Sequence, residues 1–98
     1  MKRLFISQPM KNKTNDEIKA ERKKAIHRAK EICEDIEVID SFFEDAPHDA
    51  KPLWFLSKSL ELLSTADYAY FAEGWKNARG CRIENECALL YGIPIIEQ

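Results

Sequence analysis

The chain of 98 residues alternates short apolar runs with longer segments of helical period. Three segments, roughly 15–34, 52–65 and 80–91, repeat their apolar residues at helical spacing. The apolar runs between them are suited to buried strands: RLFIS (3–7), IEVID (36–40), DYAYFA (67–72) and IPIIE (93–97). Strict alternation of strand and helix favours a parallel sheet with helices on both faces. We therefore expect one α/β domain over residues 1–98. Its open parallel sheet of four strands, in the order 2-1-3-4, is flanked by three helices in a flavodoxin-like or Rossmann-like arrangement.

Local signals support the bounds of the three helices. Thr14 and Glu17 have the spacing of a capping box at the start of the first helix. Pro52 suits the first turn of the second helix, because the nitrogen of proline carries no hydrogen to leave unpaired there. Gly92 follows the third helix, where a glycine readily adopts the left-handed conformation that ends a helix.

Composition excludes several classes of protein. A net charge of −2 and a pI near 5.7 argue against a protein that binds the nucleic-acid backbone. We interpret the basic run KAERKKAIHRAK (19–30) as the solvated face of a helix rather than a phosphate-binding stripe. No apolar run reaches the roughly 20 residues of a membrane span, and no signal-peptide pattern opens the chain, so we expect a cytoplasmic protein. The three cysteines lack metal-ligand spacing, and we expect no metal and no cofactor.

Polar residues follow the strands at the edge where an open parallel sheet binds its ligands. In such sheets the ligand lies beyond the carboxyl ends of the strands, near the point where the strand order reverses. The segment FISQPM offers backbone amides and the Ser7 hydroxyl, although an ordinary strand-to-helix connection explains it equally well. The candidate residues at this edge are Ser7, Gln8, Pro9, Met10, Asp40, Gly74, Trp75, Asn77, Arg79 and Gly80.

Trp75 belongs to an unusual loop, EGWKNARG (73–80). Its ring could stack on a nucleobase while Asn77 and Arg79 bind the base or a phosphate. An equally good interpretation is a tryptophan that anchors the loop to the core.

Glu84 lies on the apolar side of the third helical segment. Arg82, Asn85 and Glu86 fall on the polar side of that helix. A carboxylate among apolar neighbours has to be paired, protonated or solvated by a cavity. Glu84 is therefore either a structural acid bonded to the backbone, Arg79 or Arg82, or an acid that lines a pocket and does chemistry there. The apolar arc around it holds Cys81, Ile83, Cys87, Ala88, Leu90 and Tyr91.

The carboxyl-terminal half, ADYAYFAEGWKNARGCRIENECALLYGIPII, resembles the nucleoside 2-deoxyribosyltransferase superfamily. Members of that family have a strand, a loop, Gly-x-x-x-Glu at the start of a helix, an alanine four residues on, and Gly-x-Pro before the last strand. The start RLFISQPM is similar to the family's first strand and ligand-binding loop. The resemblance is strongest to a branch of short phage and bacterial proteins of unassigned function. The matching residues here are Gly80, Glu84, Ala88, Gly92 and Pro94.

The resemblance implies that Glu84 is a nucleophile. In the family, the glutamate at this position attacks the anomeric carbon of a nucleoside, and the resulting ester passes to another base or to water. The chemistry is that of a retaining glycosidase. Two departures weaken the match. Ser59 and Ala78 stand where family enzymes carry aspartates that assist departure of the base or hold the sugar, and its position makes Ser59 a further candidate substrate-binding residue.

Three functional hypotheses follow. The first is an N-glycosidase or a ribosyl or deoxyribosyl transferase that acts on a nucleoside or nucleotide through Glu84. The second is a nucleotide-binding module that keeps the pocket without the full chemistry, such as one that sequesters a nucleotide signal, and the third is a purely structural or interaction protein. Under each we expect a homodimer or higher homo-oligomer, because the domain is small and the resemblance implies dimers. The segment 41–54, with Phe42 and Phe43, is the candidate interface.

Overall fold

Four parallel strands form one open sheet in the order β2-β1-β3-β4, which confirms the predicted architecture. The computed structural model describes residues 1–41, 43 and 46–96. The observed strands are shorter than the predicted ones, except for the first. The predicted end of the last strand, at residue 97, lies outside the described part of the chain. The strands are β1 (Lys2–Ser7), β2 (Ile36–Val38), β3 (Tyr68–Phe71) and β4 (Ile95–Ile96).

Three helices connect the strands, close to their predicted positions. They are α1 (Asn15–Ile32), α2 (Pro52–Leu63) and α3 (Arg79–Leu90), and a single 3₁₀ turn covers Trp75–Asn77. The capping box of α1 is confirmed, since Thr14 Oγ1 accepts from the Glu17 backbone N–H at 3.1 Å and Glu17 Oε1 accepts from the Thr14 N–H at 3.2 Å. None of the described helices is both long enough and apolar enough to cross a membrane.

Alternation along the strands divides the core between the two faces of the sheet. One face carries Leu4, Ile6 and Tyr70, which pack with Ala25 and Ala29 of α1. The opposite face packs on α2 and α3, and its core contains Phe5, Ile39, Leu63, Ala69, Phe71 and Ala88. Ser7 has the parity of Phe5, so it points to the α2 and α3 side at the carboxyl end of β1.

Only part of the apolar arc of α3 reaches the core. Cys81, Glu84 and Ala88 are buried, but Ile83, Leu90 and Tyr91 are exposed. The buried side of α3 is a narrow stripe made of Cys81, Glu84 and Ala88. The larger apolar residues of the helix face outward. Three apolar residues of the arc, Ile83, Leu90 and Tyr91, therefore do not join the core.

The segment 41–54 is described only in part. Phe42 lies outside the described residues, so its predicted role at an interface stays untested. The half-buried Phe43 packs edge-on against Trp54, with the ring centroids 6.0 Å apart. Leu53, one residue before Trp54, is 75% exposed.

Candidate functional site

A cavity of about 500 Å³ opens at the carboxyl ends of β1 and β3, where the predicted ligand site lies. The first turns of α2 and α3 form two of its walls, and the loop after β1 forms the third. We call this cavity the Glu84 crevice. Its polar and small lining residues are Ser7, Gln8, Lys11, Asn12, Ser41, Ser59, Gly74, Asn77, Arg79, Gly80, Cys81 and Glu84, and its apolar ones include Pro9, Met10, Phe55 and Leu56.

Glu84 is buried, with 7% of its surface exposed, and reaches the crevice from the second turn of α3. The Ser7 hydroxyl donates a hydrogen bond of 2.6 Å to Glu84 Oε1. Burial raises the pKa of Glu84 above its ordinary value, because the charged form loses solvation, and hydrogen bonds from the Ser7 and Ser59 hydroxyls oppose this rise. The Ser7 hydroxyl thus holds the buried carboxylate, and the Ser59 hydroxyl acts on its pKa from α2.

This environment differs from that of a structural acid paired with a cation. Arg79 and Arg82, the two candidate partners of Glu84, are both exposed. Within the described part of the chain, neither arginine forms an ion pair with Glu84. The hydroxyl partners leave the charge of the carboxylate uncompensated, so an electron-poor centre in the crevice would be attracted to it.

Cys81 completes the buried group and was not predicted as part of the site. Its thiol lies beside Ser7 and Glu84, and burial raises the pKa of Cys81 to about 11, with the nearby Glu84 charge as a further cause. The thiol therefore stays protonated at neutral pH. The signal for this contact is in the sequence, since residues 81 and 84 are three apart on a helix and share a face.

Arg22 organises the floor beside the crevice. Its guanidinium donates to the Ile39 carbonyl at 2.7 Å, to Ser41 Oγ at 3.2 Å and to Gln8 Oε1 at 3.5 Å. The Gln8 amide nitrogen in turn donates to the Ile18 carbonyl at 3.0 Å. Both ends of the Gln8 amide are thus used inside the protein, and the side chain fixes the loop after β1.

Arg22 itself lies in the basic run, in which the sequence suggests a solvated helix face. The pKa of Arg22 is lowered by burial, and the neighbouring Asp40 charge opposes this. A half-buried cation in a charged run carries no distinct sequence signal, because its burial depends on where α1 crosses the ends of β1 and β2.

The structure brings most of the predicted site residues together. Asp40 and Trp75 are the exceptions, because neither lines the crevice. Asp40 is exposed and acts on Arg22. The residues that do line the crevice are Ser7, Gln8, Pro9, Met10, Ser59, Gly74, Asn77, Arg79, Gly80 and Glu84.

Trp75 anchors its loop to the core, as the second interpretation of this residue predicts. Its ring packs against Phe71 with centroids 5.4 Å apart, and the Lys76 ammonium lies 5.8 Å from the ring centre. Gly74 precedes it with φ +85°, a conformation that other residues adopt at a cost, and directs the chain from β3 into the 3₁₀ turn.

Gly80 has a different explanation from Gly74. Its φ does not require glycine, and a Cβ built there would have no heavy atom within 4 Å outside its own helix backbone and chain neighbours. Neither backbone strain nor packing within the described chain accounts for a glycine in the first turn of α3. Gly80 is one of the residues that line the Glu84 crevice.

The charge around the crevice is unbalanced. Lys11 and Arg79 line it, and Glu84 is the one carboxylate among its described lining residues. The described residues contain no group of three His, Cys, Asp or Glu side chains that could hold a metal ion. The arrangement suits a polar organic ligand that carries an anionic group.

Comparison with known proteins adds no relative. No family model, no curated protein and no solved structure matches this chain. The resemblance to the nucleoside 2-deoxyribosyltransferase superfamily therefore rests on the residues quoted above and stays a prediction.

Proposed function

We propose that the protein is an N-glycosidase or a ribosyl or deoxyribosyl transferase that acts on a nucleoside or nucleotide in the Glu84 crevice. The observation that carries the proposal is the buried Glu84 carboxylate, which opens onto a cavity of about 500 Å³ and has hydroxyl groups rather than a cation as partners. A structural acid needs no such cavity. A nucleophile needs one, because the anomeric carbon of the substrate has to reach it.

The proposed reaction has two steps. A Glu84 carboxylate oxygen attacks the anomeric carbon, the bond from that carbon to the base nitrogen breaks, and the base leaves with the bonding electrons and takes up a proton. Water or a second base then attacks the same carbon and releases Glu84 as a carboxylate. Low solvation strengthens the attraction between the carboxylate and the positive charge that develops on the sugar.

Charge in the crevice favours a phosphorylated substrate. Lys11 and Arg79 contribute two cations, and neither makes an ion pair with a described residue. If the phosphate of a nucleotide binds beside these two cations, its sugar would lie nearer to Ser7 and Glu84. Asn77 offers an amide that could donate to and accept from a base.

A second candidate function is nucleotide binding without catalysis. The observation that favours it is the absence of a second carboxylate from the described lining of the crevice, since Ser59 and Ala78 occupy the positions where family enzymes carry aspartates. Loss of a general acid typically lowers a rate by about 10²–10⁴. A binder would retain the pocket and leave its ligand intact.

The discriminating experiment combines a thermal-shift screen of nucleosides and nucleotides with chromatography of each hit for released base. Release that is lost in Glu84→Gln but kept in Glu86→Gln, an exposed glutamate two residues on, supports the enzyme. A covalent adduct with a 2-fluoro-sugar analogue at Glu84 supports it independently. A thermal shift with the ligand recovered intact supports the binder, and no shift with any ligand contradicts both.

The substitution Ser59→Asp tests whether the lack of a general acid limits the rate of base release. The Ser59 hydroxyl acts on Glu84, so an aspartate there would stand close enough to supply a proton to the departing base. We expect base release to increase by about 10²-fold or more if a missing acid limits the reaction. Unchanged release would show that the leaving group needs no such acid.

The proposal includes a homodimer and a cytoplasmic location. Exposed apolar residues on α2 and at the carboxyl end of α3 support the dimer. Three free cysteines suit a reducing compartment.

A further inference from the structure

A second cavity of about 500 Å³ lies on the opposite side of the sheet from Glu84. Its walls are α1 and the end of β3, and we call it the α1 cavity. Tyr70 and Ala72 form its floor, and both belong to the face of the sheet that packs on α1. Glu84 and Ser7 belong to the other face, so a ligand in this cavity would be separate from one in the Glu84 crevice.

Tyr70 is the unusual residue of this cavity. Only 4% of its surface is exposed, and its hydroxyl has no hydrogen-bond partner among the described residues. No described side-chain polar atom is both fully enclosed and unpaired, so the hydroxyl has to retain some contact with solvent. The α1 cavity is the space that the side chain lines, and a ligand there could use this donor.

Two cationic side chains of α1 line the same cavity as Tyr70. Lys24 and Arg28 line the cavity, are one helical turn apart, and form no ion pair or hydrogen bond with any described residue. Like charges at this spacing repel each other, and an anion between them would remove the repulsion. The third cation, Lys13, is neutralised by Glu21 at 2.7 Å.

Glu73 gives the cavity a second character. It lines the same space where β3 ends and makes no ion pair with a described residue. The cavity thus combines a hydrogen-bond acceptor, Glu73, with two cations and a phenol. This combination matches a ligand that has both an anionic group and hydroxyl groups.

From this arrangement we infer that the α1 cavity is a binding site for a small phosphate ester, with its phosphate between Lys24 and Arg28 and a hydrogen bond from Tyr70. Hydroxyl groups of the ester donate to Glu73. Two cations without a partner among the described residues, the Tyr70 phenol and the cavity that all three line carry the inference, which does not depend on the chemistry of Glu84.

The test is a titration of the ¹⁵N-labelled protein with glycerol 3-phosphate and with inorganic phosphate, at ionic strength held constant with sodium chloride. We expect saturable shifts of the Ala25, Arg28 and Ala72 amides, with glycerol 3-phosphate binding more tightly than phosphate. Shifts confined to Gly74, Gly80 and Cys81 would place the anion in the Glu84 crevice and overturn the inference.

Variants distinguish specific binding in the α1 cavity from non-specific attraction of an anion to the basic helix α1. The pair Lys24→Gln and Arg28→Gln should weaken binding at least tenfold, and Tyr70→Phe several-fold. The matched pair Lys23→Gln and Lys30→Gln removes the same charge from exposed positions of α1 outside the cavity, and should leave the affinity unchanged. Equal weakening by both pairs, or equal affinity for phosphate and its ester, would contradict the proposed site.

Discussion

The Ser7 hydroxyl and the Glu84 carboxylate, 77 positions apart in sequence, are joined by a buried hydrogen bond of 2.6 Å. The bond links the carboxyl end of β1 to the second turn of α3. Hydrogen bonds to a charged group contribute about 1.5–3 kcal/mol, which is enough to hold the carboxylate in one orientation. Glu84 is therefore a fixed acid at the sheet edge rather than a mobile surface side chain.

Burial of Glu84 predicts a specific pH dependence of stability. Its pKa is higher in the folded protein than the ordinary value of 4.5, so the folded state binds this proton more tightly than the unfolded state does. The stabilisation is complete below pH 4.5 and is lost as pH rises through the folded pKa. We expect Glu84→Gln, which has no titrating group, to gain free energy of unfolding relative to wild type over that rise.

Denaturant unfolding of the two proteins between pH 4 and pH 8 measures this difference. Other carboxyl groups titrate equally in both and cancel. Glu86→Gln, at an exposed position of the same helix, serves as the control and should stay parallel to wild type. A difference between Glu84→Gln and wild type that grows as pH falls would contradict the direction of the shift.

Ser59 should control the pKa of Glu84 from α2. Its hydroxyl lowers that pKa, so Ser59→Ala should raise the pKa further, and Ser7→Ala should do the same. Carbon-13 NMR of the labelled glutamate carboxyl groups follows the titration directly. Ser57→Ala is the matched control, because the Ser57 hydroxyl is on the same helix but donates to the Trp54 carbonyl. An unmoved Glu84 titration in Ser59→Ala would remove Ser59 from the site.

The predictable part of the molecule is the part that local pattern determines. Strand runs, the helical period and the Thr14 capping box depend on neighbouring residues, and all three agree with the structure. The burial of Glu84 was also predictable, because the helical period places it on the same side as Cys81 and Ala88.

The unpredicted part depends on how elements pack. Arg22 is predicted to be solvated from the sequence but is half-buried, because α1 crosses the ends of two strands. For Trp75 two interpretations fit the sequence equally well, and the packing of its ring on Phe71 after the 3₁₀ turn decides between them. Ser59 reaches Glu84 only because α2 lies beside α3, which no spacing in the sequence records.

Gly80 predicts opposite effects on stability and on ligand binding. Replacement by alanine meets no protein atom and improves helix propensity, so Gly80→Ala should raise the free energy of unfolding by up to about 1 kcal/mol. Because Gly80 lines the crevice where the proposed nucleotide binds, we expect the added methyl group to weaken nucleotide binding about tenfold or more. Gly92→Ala, at φ +73°, should instead lose about 1–2 kcal/mol. Calorimetry of unfolding and of nucleotide binding gives both quantities, and unchanged nucleotide affinity in Gly80→Ala would place the ligand elsewhere.

The exposed apolar residues of α3 predict a dimer. Leu90 and Tyr91 are 73% and 83% exposed, and burying each in an interface would contribute roughly 1.5–3 kcal/mol. Light scattering at micromolar concentration should give twice the 11.4 kDa chain mass for wild type and the single mass for Leu90→Lys combined with Tyr91→Lys. Ile32→Lys adds a charge at an exposed apolar residue that ends α1, on the other side of the sheet, and should remain dimeric. A wild-type monomer would show that this surface does not associate, and a dimer dissociated only by Ile32→Lys would move the interface to α1.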